Sequence, residues 1–479
     1  MVFTSFNFLI FFPIVIVLYY LIPSRIRWCF LLLTSIFFYA NVLPLYVILL
    51  LFVSLITYLF GIIIEREKSD SKKEKFLIIG IILVFLPLFI FKYYDFLNEM
   101  IFNFMDYFSI RFPLPKLNLL LPVGISFYTF MAIGYLFDIY NEEIKAEKNI
   151  GLITLFLSFF PLVLSGPIER APSMLPQFKS ELTFNYEKAV QGFKFIIWGY
   201  FMKLVVADRI GIYTDVVLSN MEYHSGKTLL FTVLIYPLQL YADLGGYSLI
   251  AIGVAGVLGI KVRRNFNRPF FATTLSEFWR RWHMSLISWI LDYVYTPLSF
   301  AFRRYKMKGV LLTVILTLFI MGMWHGATLT YLMWALFQGV VLSFEAITKN
   351  KKFAFEKKYN LSKKWWYIAF GISITYILFA FSFLTGGNRH TFSEGIMAFE
   401  KIINFSGSIF IDSPSNLIFI ILGAFILLLK DFKEEFFSSR LLFFNNKLKI
   451  IRILSYSFII ILILLIGVFD AGQFIYFKF

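Results

Sequence analysis

Apolar runs of about 20 residues recur from Phe6 to the end of the chain, and this recurrence leaves few choices of fold. Such a run crosses the hydrocarbon of a bilayer as a helix, because every backbone N–H and C=O must find its partner within the segment. With 59% of 479 residues hydrophobic and 15% charged, a soluble domain could not cover the apolar surface. The chain reads as an all-α polytopic membrane protein, one integral-membrane domain over 1–479 embedded in the lipid bilayer. Spans are expected at about 7–22, 28–43, 45–63, 76–91, 187–206, 367–385, 415–430 and 452–470. With the broken segments between them the total is about 11 to 12 spanning or re-entrant helices. The first run lacks a basic leader and a small-residue cleavage site and reads as a retained span. Cys29 is the single cysteine, so an internal disulfide is excluded.

The net charge of +16 is gathered in short loops. There it directs topology and meets anionic lipid, and it is no signal for nucleic acid. Arg25 and Arg27 follow the first span, and Arg66, Lys68, Lys72, Lys73 and Lys75 follow the third. Seven lysines lie between 347 and 366. The basic loops are expected in the cytoplasm and the N-terminus outside. Residues 92–118 mix charges with aromatics and are expected to lie in the outer interface.

Three apolar stretches are interrupted. Pro122, Gly124 and Gly134 break the first, and Pro161, Gly166 and Pro167 break the second, where Glu169 and Arg170 are placed to pair locally. In the third, Asp243, Tyr247 and Ser248 flank Gly245-Gly246, which permit a close helix contact or an unwound turn. Irregular backbone persists at membrane depth only where it is buried in protein or lines a cavity, so these stretches imply one. Asp243 at membrane depth is costly unless it faces a loop or a polar partner.

There are four histidines. His224 and His390 sit in polar loops and read as solvated. His325 lies inside an uncharged run from Gly309 to Phe344, long for one span and tight for two, so a helical pair would recess it near the turn. The plain alternative is a histidine satisfied by a backbone carbonyl, but a titratable side chain at that depth is a functional candidate by default. Gly322 and Gly326 flank it and allow close approach of a second helix. A neutral imidazole there could take a proton from a hydroxyl. His283, in SEFWRRWHMSLISW, would share a helical face with Trp279, Leu286 and Ile290, with Arg280 and Arg281 marking an interface or polar border. The histidines are too few and too scattered to suggest a metal site, and no nucleophile elbow, P-loop or HExxH is present.

The segments MVFTSFNFLIFFP, PVGISFYTF, SFFPLVLSGPIER, YADLGGYS, NFNRPF, FWRRWHMSLISW, DYVYTPL, MGMWHGA and FIYFKF occur in this order along most of the chain. Together they resemble the membrane-bound O-acyltransferases, and most of all the bacterial branch of the alginate O-acetylation protein. Leu249, Leu291 and Gln338 depart from that branch's pattern, which bears on donor and acceptor more than on reaction class. The resemblance implies acyl transfer from a thioester to a hydroxyl, with His325 in MWHGA as the catalytic histidine and His283 as the second. It also implies a cytoplasmic acetyl-CoA donor, an extracytoplasmic SGNH-type partner, and a polysaccharide acceptor outside a bacterial inner membrane. One histidine serves both sides only if an outward funnel and a cytoplasmic opening form a central tunnel meeting near it. The expected lining is Asp243, Tyr247, Asn267, Trp279, Arg280, Trp282 and Trp324. Alternatives are peptidoglycan O-acetylation, teichoic-acid D-alanylation, and a transporter or flippase, since intramembrane Asp243 and His325 also suit a substrate path.

Overall fold

The computed structural model describes residues 1–41, 43–110, 115–326, 328–386, 391–437 and 443–469, and these are helical with no strand. His390 and the terminal FIYFKF lie outside the described residues. Among the described residues, eight helical segments are long and apolar enough to cross a membrane, and two further apolar helices, Phe6–Leu21 and Ile125–Tyr140, are shorter. The protein is multi-pass. It divides into two compact units, one of Met1–Ile196 with Ile250–Arg263 and one of Ile197–Leu249 with Arg264–Phe479.

The first unit begins with α1 (Phe6–Leu21), capped by Ser5, whose hydroxyl accepts from the Phe8 amide at 3.3 Å. It continues through α2 (Arg27–Ala40), α3 (Tyr46–Arg66), α4 (Asp70–Tyr107) and α5 (Ile125–Tyr140). On α3 the buried residues Leu50, Val53, Ser54, Thr57, Gly61 and Ile64 recur at helical spacing, so one stripe faces protein while Ile48, Leu51 and Leu55 stay exposed to the lipid side. At 1.5 Å per residue α4 is about 57 Å long, well beyond a hydrocarbon core of about 30 Å. Residues 92–107, expected as a separate interfacial segment, therefore continue this helix. The chain folds back on its far end, where the Asp95 carboxylate accepts from the Leu117 and Asn118 amides at 2.8 and 2.9 Å.

Between α6 (Ile150–Ser158) and α7 (Ala171–Lys179) the backbone leaves the helix, and residues 159–169 are all buried. This is the irregular segment enclosed by protein that its prolines and glycines require. Gly124 is held at φ +78°, and a Cβ on it would lie 1.9 Å from the Val163 carbonyl oxygen, so only glycine fits there. Glu169 takes the Arg170 backbone amide as expected of neighbours, and its longer-range partner is Arg263. It accepts from the Arg263 amide at 2.5 Å and the Arg263 guanidinium at 3.2 Å, because its buried carboxylate faces the segment that closes this unit.

In the second unit a π-helical stretch, Phe201–Ala207, follows α8 (Tyr186–Tyr200) and leads into α9 (Asp208–Leu218). The long α10 (Gly226–Val257), whose residues from Ile250 on belong to the first unit, runs unbroken through Gly245-Gly246. Those glycines serve close contact and not unwinding, since a Cβ on Gly246 would lie 2.8 Å from the Gly199 carbonyl oxygen. Next come α11 (Leu275–Arg281), α12 (Met284–Ile290), α13 (Thr296–Phe302), α14 (Lys306–His325), α15 (Leu329–Lys358), α16 (Trp365–Ser382), α17 (Phe392–Asn404), α18 (Pro414–Phe436) and α19 (Lys449–Ile466).

Candidate active site

The run from Gly309 to Phe344 folds as a helical pair, α14 and α15, and His325 closes the first helix at the turn. Two glycines make the pairing tight. A Cβ on Gly309 would meet the Phe302 carbonyl oxygen at 2.2 Å, so glycine lets α14 fold back on α13. A Cβ on Gly322 would lie 2.6 Å from Ala335 Cβ and 2.9 Å from the Tyr331 carbonyl oxygen, close to one helical turn before His325.

The half-buried His325 ring lies 4.7 Å from the ring of Trp324, 5.3 Å from Trp334 and 6.0 Å from Tyr331, the last nearly parallel at 19°. It borders a cavity enclosing about 570 Å³, the space at its mouth included. Tyr236, Leu240 and Leu244 of α10, Trp279 of α11 and Trp282 at its C-terminal end, Tyr331 and Trp334 of α15, and Phe379, Phe383 and Gly386 form the rest of the lining. Among the described residues that line it, His325 is the one imidazole, the side chain suited to act as a general base. The rings brace one another. Trp279 meets Trp334 edge-on at 5.9 Å, Trp282 lies 5.2 Å from Phe379, and Phe379 lies 5.0 Å from Phe383. An apolar cavity with one imidazole at its wall suits an apolar group held beside a base.

α11 supplies two of these walls. Thr274 caps it by accepting from the Glu277 amide at 3.1 Å, and its apolar face points inward while Arg280 is exposed on the other. The Trp279 indole N–H donates to Gln338 Oε1 at 3.4 Å.

His283 does not share a helical face with Trp279. The helix stops at Arg281, and His283 adopts the left-handed conformation, φ 45° and ψ 50°, to start α12 in a new direction. The reversal is fixed by Asn265, which takes the Met284 amide on its carbonyl oxygen at 2.7 Å. Its side-chain Oδ1 takes the Ser285 amide and hydroxyl at 3.1 and 2.9 Å. The His283 ring is 3% exposed, 5.9 Å from Phe266 and perpendicular to Trp324 at 6.5 Å. Trp324 therefore adjoins both histidines, while His283 itself is not part of the cavity lining.

Of the expected lining, Trp279, Trp282 and His325 face the cavity and Trp324 adjoins it. Four residues do not line it. Arg280 points away from the buried face, and the Asn267 amide donates to the Arg281 carbonyl at 2.9 Å beside the end of α11. Asp243 is drawn to a buried cation that composition and spacing did not single out. Lys203 Nζ lies 2.8 Å from Asp243 and 2.7 Å from Asp208, and 5.7 Å above the Tyr247 ring. Lys203 stood in an apolar stretch, GYFMKLVVADR, and by the reasoning applied to Asp243 an intramembrane charge there calls for a partner. Asn265 and Asn267 stand two apart in NFNRPF, and nothing local distinguishes the one that pins the reversal.

Residues 149–384, which include both histidines, match the family model described as MBOAT, membrane-bound O-acyltransferase family. The chain is 34% identical over 355 residues to a protein of Pseudomonas aeruginosa named "Probable alginate O-acetylase AlgI", covering 72% of this chain and 66% of that one. It is 32% identical over 378 residues to the peptidoglycan O-acetyltransferase of Helicobacter pylori, covering 73% and 70%. With the teichoic acid D-alanyltransferase of Streptococcus thermophilus it shares 32% identity over 284 residues, covering 55% and 67%. The matches span about two thirds of the length of these relatives. With this likeness along most of the chain, and with the histidine of MWHGA at the wall of an apolar cavity, the protein belongs to the membrane-bound O-acyltransferase family and to its enzyme class, the O-acyltransferases.

Proposed function

We propose that the chain moves an acetyl group from a cytoplasmic thioester, acetyl-CoA, toward the O-acetylation of a polysaccharide outside the cell membrane, with His325 as the base. The carrying observation is the His325 imidazole at the wall of an apolar chamber. The acceptor hydroxyl loses its proton to the imidazole as its oxygen attacks the thioester carbonyl. The C–S bond breaks, and the departing thiolate recovers the proton from the imidazolium. Burial among rings that exclude water protects the thioester from hydrolysis. His283 acts on this reaction through Trp324, whose ring it holds from behind.

In this reading the basic loops face the cytoplasm, the N-terminus lies outside an inner membrane, and an SGNH-type partner receives the acetyl group and esterifies the polymer. Alginate-like polysaccharide is the first acceptor, supported by the alginate O-acetylase relative. Peptidoglycan is the second, supported by 32% identity to a peptidoglycan O-acetyltransferase. The full-length protein in lipid nanodiscs, given radiolabelled acetyl-CoA and each polymer with its partner, distinguishes the acceptors. His325→Ala is expected to abolish labelling while the melting curve is unchanged. A folded His325→Ala protein with full transfer rejects the assignment, and transport of a solute without acetyl transfer supports a carrier instead.

A further inference from the structure

Glu345 is the first charge after the uncharged run that holds His325. It sits on α15, yet its half-buried carboxylate serves α11, 70 residues earlier. One oxygen accepts from the Leu275 amide at 2.7 Å. The other accepts from the Ser276 amide at 2.9 Å and the Ser276 hydroxyl at 2.6 Å. These amides open α11, where a negative charge also meets the positive end of the helix. One face of α15 thus grips α11 at two heights, because Gln338, seven residues or about two turns before Glu345, holds the Trp279 indole. The same face carries Tyr331 and Trp334 into the cavity. At the other end of α11 Arg281 is paired with Glu277 at 2.6 Å and with Glu435 at 3.0 Å, so the short helix is clamped at both ends.

We propose that Glu345 is a positioning residue: by clamping α11 to α15 it fixes how far the Trp279 and Trp282 walls stand from His325, and so limits the acyl group to one about the length of acetyl. A helix of seven residues has too little hydrogen bonding of its own to hold that spacing. With the clamp removed, α11 shifts outward and the chamber admits a further methylene. This rests on acyl transfer at His325, and the test separates the two ideas.

The full-length protein in nanodiscs is supplied with acetyl-CoA or propionyl-CoA, and thiol release and acyl ester on the polymer are measured. Wild type is expected to favour acetyl. Glu345→Ala is expected to raise the propionyl-to-acetyl rate ratio by about tenfold, the discrimination one methylene provides in an apolar pocket. Glu345→Gln, which keeps one acceptor oxygen, falls between. Should Glu345→Ala not fold, Ser276→Ala removes only the hydroxyl bond and is expected to shift the ratio in the same direction. A general structural defect slows both donors alike and leaves the ratio fixed, and that result overturns the proposal. An unchanged ratio at unchanged rates overturns it too. If wild type turns over neither donor, acyl transfer itself fails and the inference falls with it.

Discussion

Asp243→Asn is expected to be nearly neutral, although Asp243 is a buried charge in an apolar helix. Lys203, Asp208 and Asp243 are 4%, 9% and 2% exposed at their side chains, one ammonium between two carboxylates. At an effective dielectric of about 20, each contact near 2.75 Å is a gross attraction of about 6 kcal/mol, and the carboxylates, at most about 5.5 Å apart, repel by about 3 kcal/mol. Removing the Asp243 charge forfeits about 6 kcal/mol, recovers about 3 kcal/mol of repulsion, and spares the desolvation of one carboxylate, worth several kcal/mol. The terms cancel to within about 2 kcal/mol, and an asparagine oxygen can still accept from the ammonium. Lys203→Met loses both attractions and leaves two buried carboxyls without their cation, so it should cost about 3–5 kcal/mol, the usual cost of breaking a buried pair from one side. Thermal unfolding in detergent reads both variants, and acetyl transfer is followed in parallel. Equal destabilisation by the two variants would refute the charge argument. A well-folded but inactive Asp243→Asn would refute the placement of Asp243 outside the reaction.

Three further outcomes are expected. Gly322→Val drives methyl groups into Ala335 and the Tyr331 carbonyl and should cost about 1–3 kcal/mol, with loss of transfer, seen as a lower melting temperature and reduced acetyl label. His283→Gly relieves left-handed strain of about 1 kcal/mol, so it should melt no lower than His283→Ala, yet both should turn over slowly; full turnover by the glycine variant removes the imidazole from the mechanism. In a Cys29-free variant, Asp70→Cys should react with a membrane-impermeant maleimide in inverted vesicles and not in sealed cells, and labelling in sealed cells reverses the topology.

The sequence made legible what depends on neighbours along the chain. Long apolar runs predict the helices, the uncharged stretch around His325 predicts a helical pair, and Gly322 predicts its close approach. Buried irregular backbone at 159–169 follows from its prolines and glycines, because membrane depth admits no other arrangement. What depended on distant partners was not legible. The apolar period through SEFWRRWHMSLISW continues a helix, and the stop at Arg281 comes from Asn265, which captures the Met284 and Ser285 amides from outside the segment. Asp243 looked like a lining residue because its partner Lys203 lies 40 positions earlier on another helix. The extension of α4 past residue 91 shows the limit of counting apolar residues, since a helix does not end where the hydrocarbon does.

The contrast between the two buried polar centres of the second unit bears on how such an enzyme divides its labour. Lys203 and its carboxylates answer one another, and none of the three is among the residues lining the cavity. His325 is placed among rings and aliphatic side chains, half-buried at the cavity wall. A carboxylate in its position would need a counter-ion, and an imidazole does not. The walls are largely aromatic: interlocked rings hold a shape through packing, and the Trp279 N–H is taken up by Gln338. The polar clamps of Glu345, Gln338 and Asn265 are kept one layer back, where they fix the position of the rings without entering the chamber.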